Sequence, residues 1–496
     1  MTVQKQTFGA INLVRPKGKD IPYKYRDRVN DLFDTWVSVS ARNRGLSRYY
    51  DMKNEVKNLG ISVPTSLDKI NCVVGWCKKA VDAMCDRSVF DGFVFEGVED
   101  PDLSALVRAN RLRTKSSMAV RSSLIHGVSA MTVMKGEGFQ PDVMVRAFSA
   151  NQFAALWDKD AERIACGIAL VDVDRKGAAS KYVVHFPESV LTMTRDGKAW
   201  AFDEEPNIMG RPMMEVFVND PDIDRPLGHS LLTPEILGIV DKAMRDVLRM
   251  EVGAEFFTFP QRYILGASED MFSIPSEGCE QNADGEWVDG SGNVVEPVSD
   301  ENAKFRAYIG ALMAISRDET GDVPQVGQFS PGSADNFTRV FENDAQRFSG
   351  ATNVPLAQLG VLSNTYTSSD ALGAANDPLI LAVEVMNRRN GEVMEEIARM
   401  MMAVAGETSL DNLKPEQKSV QAHWKDPGMP TISARADAWT KFGASDKSIV
   451  GTRVYYEGMG MSQATIDRLN AEKKRVEATE MLNRIAEAMP TRNQGE

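Results

Sequence analysis

Gly350-Ala351-Thr352-Asn353-Val354-Pro355-Leu356-Ala357-Gln358-Leu359-Gly360 separates two long helical patterns, and how it is read decides the fold. Upstream, Ser333 is placed to cap a helix whose Phe337, Phe341, Asp344 and Phe348 share one side, with Gly350 where a C′ glycine would end it. Further upstream, Thr233 reads as an N-cap, with Pro234 at the first helical position and Glu235 in the first turn. Ile236, Val240, Ala243, Val247, Met250 and Ala254 then recur at spacings of four and three, which predicts one apolar face. Residues 257–329 leave this first rod and return to the second, the pattern of a stalk carrying a tip. Downstream of the loop, Ser368 or Ser369 would cap a third helix with Asp370 in its first turn, and Leu379, Ala382, Met386, Val393, Ile397, Met400 and Val404 keep helical spacing to Gly406. At ~1.5 Å per residue this rod is roughly 50 Å long. Pro378 inside it removes an amide donor and predicts a kink near 374–378. The loop itself contains no basic residue.

A chain of 496 residues has room for two to four domains and a large core. Its 43% hydrophobic content is that of a soluble globular protein. No apolar run reaches ~18 residues and the start lacks a signal-peptide core, so the expectation is a protein without a membrane segment that stays in the cytoplasm where it is made. Cys72, Cys77, Cys85, Cys166 and Cys279 are odd in number and contain no CxxC pair, so they read as buried thiols, the first three on a helix over 67–86. The net charge of −13 argues against a protein that grips nucleic acid by a concentrated basic face; it is compatible with one that lets a polyanion pass.

Residues 2–20 read as an arm and 22–41 as a helix with Leu32, Phe33, Trp36 and Val37 on its apolar side. Tyr49-Tyr50 is either a stacking platform for bases or packing beside Arg44 and Arg48. A helix over 103–126 carries Arg108, Arg111, Arg113, Lys115 and Arg121, the most basic patch in the chain. It is a solvated face, or a contact with DNA or with a neighbouring subunit's acidic edge. From 130 to 218 the period shortens to that of strands, with Arg195-Asp196-Gly197-Lys198 as a hairpin turn. Within 257–329, segments 261–265 and 305–315 are β-prone, and Trp287-Val288 and Val294-Val295 flank the turn Asp289-Gly290-Ser291-Gly292. The end of the chain predicts helices over 434–442 and 447–456 and a last one capped by Ser462, bearing Ile466, Leu469, Val476, Leu482 and Ile485. His126, His185, His229 and His423 share no metal spacing, and there is no GxxxxGK[ST], GxSxG or HExxH; no metal, cofactor or catalytic residue is predicted.

Four blocks in this order resemble the portal (head-to-tail connector) proteins of tailed bacteriophages. They are Arg48-Tyr49-Tyr50-Asp51 with Leu59-Gly60-Ile61; residues 76–93; Asn219-Asp220-Pro221 through Gly228-His229-Ser230 into the first rod; and Gly350-Ala351-Thr352-Asn353-Val354-Pro355 with Leu359-Gly360, Ser368-Ser369-Asp370-Ala371-Leu372 and the long helix. The resemblance implies an α+β, multi-part portal fold. Its parts would be an N-terminal arm and α/β wing (1–230), stem helices (231–256 and 331–350) and a β-rich clip between them (257–330). A tunnel loop (351–368), a kinked channel helix (369–406), a return through the wing (407–430) and a helical crown (431–496) would follow. It implies a ring, usually of twelve subunits, through which double-stranded DNA is packaged and ejected. Thr352, Asn353, Gln358, Ser363, Asn364 and Thr365 would face the DNA. Arg262, Lys304, Arg306 and Arg317 would lie where the terminase large subunit and the head-tail adaptor dock. Major capsid and scaffolding proteins would be further partners, and the location would be the portal vertex of the virion. The alternatives are another oligomeric virion protein, such as a capsid or adaptor subunit, and an acidic cytoplasmic hydrolase.

Overall fold

The computed structural model describes residues 12–55, 72–95, 101–258, 262–265, 273–274, 279–284, 286–295, 298–299, 325–328, 335–361, 373–428, 432–461 and 463–488. The chain divides into two compact units, 1–424 and 425–496. In the first, α1 (Arg26–Tyr50), α2 (Trp76–Cys85), β1 (Phe90–Val94), α3 (Pro101–Ala109) and α4 (Leu112–His126) precede eight consecutive strands. These are β2 (Val128–Lys135), β3 (Val143–Ser149), β4 (Phe153–Asp158), β5 (Arg163–Val173), β6 (Ala179–His185), β7 (Ser189–Asp196), β8 (Ala199–Pro206) and β9 (Met214–Val218). Then come α5 (Pro234–Thr258), the short strands β10 (Arg262–Leu265) to β15 (Gln325–Gln328), α6 (Asp335–Thr352), α7 (Asp377–Ala405), α8 (Pro415–Lys418) and β16 (Gln421–Trp424).

Tight turns, with no helix between, join β4 to β8, so they run as a five-stranded antiparallel meander in sequence order. A second sheet has the order β3-β2-β9 and is also antiparallel. Among the described residues the part expected to be α/β is therefore α+β, with no βαβ crossover to force parallel pairing. α1 covers one face of the meander through Leu32, Phe33 and Trp36, while Ala155, Ala169, Met214 and Val216 form a core shared by the two sheets. A larger core gathers around α7 from α2, α4, α5 and α6. β16 pairs with β1, so the chain returns after α7 to a strand laid down some 330 residues earlier.

Several expected boundaries move, each for a visible reason. The 103–126 helix is two helices, because Arg111 adopts φ +50° and buried Asn110 pins the corner, donating to Val143 O at 2.7 Å and accepting from Val145 N at 2.8 Å. α2 starts after Gly75, which leaves Cys72 buried but off the helix. α1 continues to Tyr50, and Val37 is 56% exposed. The start of the chain is tied down from Asn12 onward: Asn12 bridges Ala178, and the Tyr182 hydroxyl donates to Val14 O at 3.0 Å. α6 runs through Gly350 to Thr352, and the left-handed residue that ends it is Asn353 at φ +58°. Pro378 lies in the first turn of α7, where a missing amide costs nothing, so it starts that helix and does not kink it. In α5, Thr233 caps as expected, accepting from Ile236 N at 3.4 Å. The buried line then follows Val240, Met244, Leu248 and Val252, leaving Ala254 exposed: contact follows an i+4 ridge across the partner helix.

In the second unit, α9 (Ile432–Ser445) and α10 (Arg453–Gly458) pack Trp439, Phe442 and Tyr455 together, and α11 (Gln463–Ala488) follows. α10 is shorter than the expected 447–456 because Gly451 takes φ +90° and the Thr452 hydroxyl then caps the helix, accepting from Tyr455 N. On α11 Ile466 is buried, whereas Val476 is 55% exposed. Ser333, Ser368, Ser369, Asp370, Ser462 and the stretch 305–315 lie outside the described residues.

Candidate functional site

The α5–α6 pair and the start of α7 frame the loop on which the sequence reading turns. α6 faces α5 with Asp344, Ala345 and Phe348, and Phe341 and Phe348 pack on Trp76. Asp344 is fully buried among these apolar groups, and Lys242 of α5 answers it with two short hydrogen bonds, 2.6 and 2.7 Å. The same ammonium reaches Asp246 at 3.2 Å, which Arg249 meets from the other side at 2.8 Å. Burial pushes the Asp344 carboxyl above its ordinary range, against the pull of Lys242. Burial also opposes the charge on Lys242, but its bonds to Asp344 and Asp246 outweigh that and raise its pKa. α5 is further tied to the body, since the Tyr49 hydroxyl of α1 donates to Asp241 at 2.8 Å, while the Tyr50 hydroxyl joins α1 to α2 by donating to Asp82 at 2.9 Å. These two rings are packing, with their hydroxyls engaged inside the fold, and do not form a base-stacking platform.

Beyond α6, Val354 and Pro355 are buried, residues 356–359 make one 3-10 turn, and Gly360 turns left-handed at φ +80°. Asn376, just before α7, accepts from Gln358 Nε2 at 3.3 Å and from Arg87 at 3.2 Å. The two feet of the segment 362–372 are thus fastened to each other and to the body. From Phe348 to Asn387, 40 residues, the sequence contains no lysine, arginine or histidine. α7 buries Leu379, Val383, Met386, Met394 and Ile397 and leaves Leu381, Glu384, Val385, Arg388 and Glu392 exposed as a stripe along the other side.

Of the six residues expected at the DNA, Thr352 is corrected. It is 4% exposed, and its hydroxyl donates to Phe348 O at 2.7 Å, so it finishes α6. Asn353 is exposed, Gln358 is half-buried on Asn376, and Ser363, Asn364 and Thr365 lie outside the described residues. Arg262 stands on β10, which pairs antiparallel with β15; Lys304, Arg306 and Arg317 lie outside the described residues. Sequence reasoning missed Lys242, Asp246, Arg87 and Asn376. Its one usable signal was Asp344 among phenylalanines, since a carboxylate on an apolar face demands a buried partner. Among the described residues no three His, Cys, Asp or Glu side chains gather as a metal site.

The geometry is therefore that of an ion-pegged helix pair leading into a stretch without basic residues, whose two described ends meet through Gln358 and Asn376. A family model described as "Phage portal protein, SPP1 Gp6-like" matches residues 40–475. The portal protein of Mycobacterium phage L5 is 24% identical over 485 residues, covering 95% of this chain and 92% of that protein. The portal protein of Mycobacterium phage D29 is 23% identical over 473 residues, covering 93% and 92%. Among solved structures, a chain from the virion of a native gene transfer agent particle superposes with a TM-score of 0.45 at 13% identity, over 84% of this chain and 93% of that one. A chain from the neck of such a particle, computed with C12 symmetry, gives 0.43 at 12% identity over the same shares. On the family match across 40–475, this chain belongs to the phage portal proteins of the SPP1 Gp6-like family.

Proposed function

We propose that copies of this chain, twelve in number, close into a ring at one vertex of the capsid, and that double-stranded DNA passes through its bore during packaging and ejection. In this reading α5 and α6 are the stem, 257–330 is the clip, 351–372 and α7 surround the channel, 1–230 with 407–424 form the wing, and 425–496 is the crown. The clip is the docking place for the terminase large subunit and later for the head-tail adaptor, through Arg262, Lys304, Arg306 and Arg317. Capsid and scaffolding proteins meet the outer surface.

The observation that carries this reading is the 40-residue stretch without a basic group, set at the end of a pegged helix pair. A duplex sliding past lysines would release counterions and be held at each step; small polar groups such as Asn353, Asn364 and Thr365 offer contact without that grip. Replacing Asn364 and Thr365 together with lysine is expected to leave rings intact and to impair DNA packaging or retention. Unchanged packaging in that double variant removes the loop from the channel. Electron microscopy of the purified protein tests the ring itself, and solitary particles, or a ring with a plugged bore, overturn it.

A further inference from the structure

The chain is acidic overall, yet one corner is cationic and unneutralised. Arg108 at the end of α3 and Arg111 at the left-handed corner before α4 are both exposed, and neither guanidinium has a partner among the described residues. Lys115, one turn along α4, reaches over to the carbonyl of Val145 on β3, next to half-buried Arg146. Burial together with the charges of Arg146 and Arg111 depresses the Lys115 ammonium pKa, so these cations lie within reach of one another's field. The rest of the basic patch is already answered: Arg113 donates to Asp91 O, and Arg121 pairs with Asp82. β3 is the outermost strand of the β3-β2-β9 sheet, so the cluster sits on a sheet edge.

One outer edge of the five-stranded meander carries the opposite sign. β8 is the outermost strand of the meander, exposed nearly throughout, and reads Ala199-Trp200-Ala201-Phe202-Asp203-Glu204-Glu205-Pro206. Trp200 turns inward to stack on Tyr182, and Glu204, on the same side, meets Lys24. Asp203 and Glu205 alternate to the other face and have no partner among the described residues. Carboxylates there discourage a second strand from adding to the edge, while leaving it attractive to a cationic surface.

We propose that the Arg108–Arg111–Lys115–Arg146 corner of one copy docks on the Asp203–Glu205 edge of the next. The two patches are different surfaces of one chain, so the contact is head-to-tail, the type that closes rings. This rests on the ring reading above. Complementary charge sets register and excludes wrong partners more than it adds affinity, which suits a contact repeated around a closed assembly.

The test uses full-length protein, with assembly followed by size-exclusion chromatography with light scattering and folding by circular dichroism. Arg108→Glu with Arg111→Glu, and separately Asp203→Lys with Glu205→Lys, should each raise the concentration at half-assembly tenfold or more while the monomer stays folded. Mixing the two folded variants should restore rings, because each reversed corner then meets a reversed edge; such rings alternate and hold an even number of copies. Reversed variants that assemble like the wild type, or a mixture that remains small, overturn the contact and leave the ring reading standing. Wild-type protein that stays monomeric at every concentration overturns both. Rings that persist in the arginine variant but lose binding to a short duplex assign the cluster to DNA and overturn the proposal.

Discussion

Between α5 and α6 the contact carries Lys242, Asp246, Asp344 and Arg249; between α1 and the five-stranded sheet it carries Leu32, Phe33, Trp36, Tyr182 and Val184. Both are long interfaces, and the difference lies in what else fixes their register. The sheet is held by its backbone ladder, where a slip of one residue would turn every inward ring outward, so aromatic burial alone suffices. Two helices side by side have no such ladder, and a slide of one turn, about 5.4 Å, would exchange one set of apolar contacts for another. A fully buried carboxylate with one matching ammonium forbids that slide. The seam is charged where no backbone ladder fixes the register of the two helices.

Lys242→Met should break this comparison most visibly. It leaves Asp344 buried without a counter-charge and Asp246 with Arg249 alone, a loss of about 3–5 kcal/mol in chemical unfolding. Adding Asp344→Leu should recover most of that loss, since an apolar pair needs no peg. A single variant losing under about 1 kcal/mol would show that apolar packing sets the seam as it sets the sheet.

How far the sequence could be read follows the same division. Caps written in strong residue types were legible: Thr233-Pro234 starts α5, and α7 ends beside Gly406. Ends closed by a left-handed residue other than glycine were not: Arg111 carries no local mark of it, and Gly350, the apparent stop, drew attention from Asn353 although it lies inside a helix. Pro378 is compatible with an interior kink or a first turn, and periodicity does not distinguish them. Asp344 was placed on the right face by its spacing, but Lys242 lies 102 residues away, and long-range pairing leaves no trace in period. The family resemblance supplied what local rules could not, the family itself, which the match over 40–475 shows.

The sheet has one exception, and it predicts the next effect in size. His185 on β6 is buried, with neither ring nitrogen bonded among the described residues, and burial holds its pKa down to about 4. His126 is likewise held at about 4, chiefly by burial. A folded imidazole kept neutral while the unfolded chain takes a proton contributes stability that is complete above about pH 6.5 and lost as pH falls toward about 4. Each residue contributes a slope of up to about 1.4 kcal/mol per pH unit. His185→Leu should therefore remove up to about 1.4 kcal/mol per pH unit from the acid-side slope, a gain of about 2 kcal/mol at pH 5 relative to pH 7, read from denaturant midpoints at pH 5 and 7. An unchanged slope would mean that His185 is not the proton-excluding group, and that the sheet's apolar character is complete as it stands.

The smallest effect separates packing from hydrogen bonding within the sheet. Tyr182 is fully buried, with Phe33 and Trp36 edge-on and Trp200 stacked, so its ring belongs to the aromatic core, while its hydroxyl does a different task in holding Val14 O. Tyr182→Phe keeps the ring and removes the bond, at a cost of about 1 kcal/mol. If the sheet is held by burial, that loss should stay local. Residues 12–15 lie on the meander by few bonds, Asn12 N to Gly177 O at 3.3 Å and Ala179 N to Asn12 O at 3.1 Å, so those amides should exchange faster while amides of β6 and β7 keep their protection. Faster exchange through β6 and β7 would show the hydroxyl acting as a peg for the whole sheet, and the contrast with the Lys242–Asp344 seam would disappear.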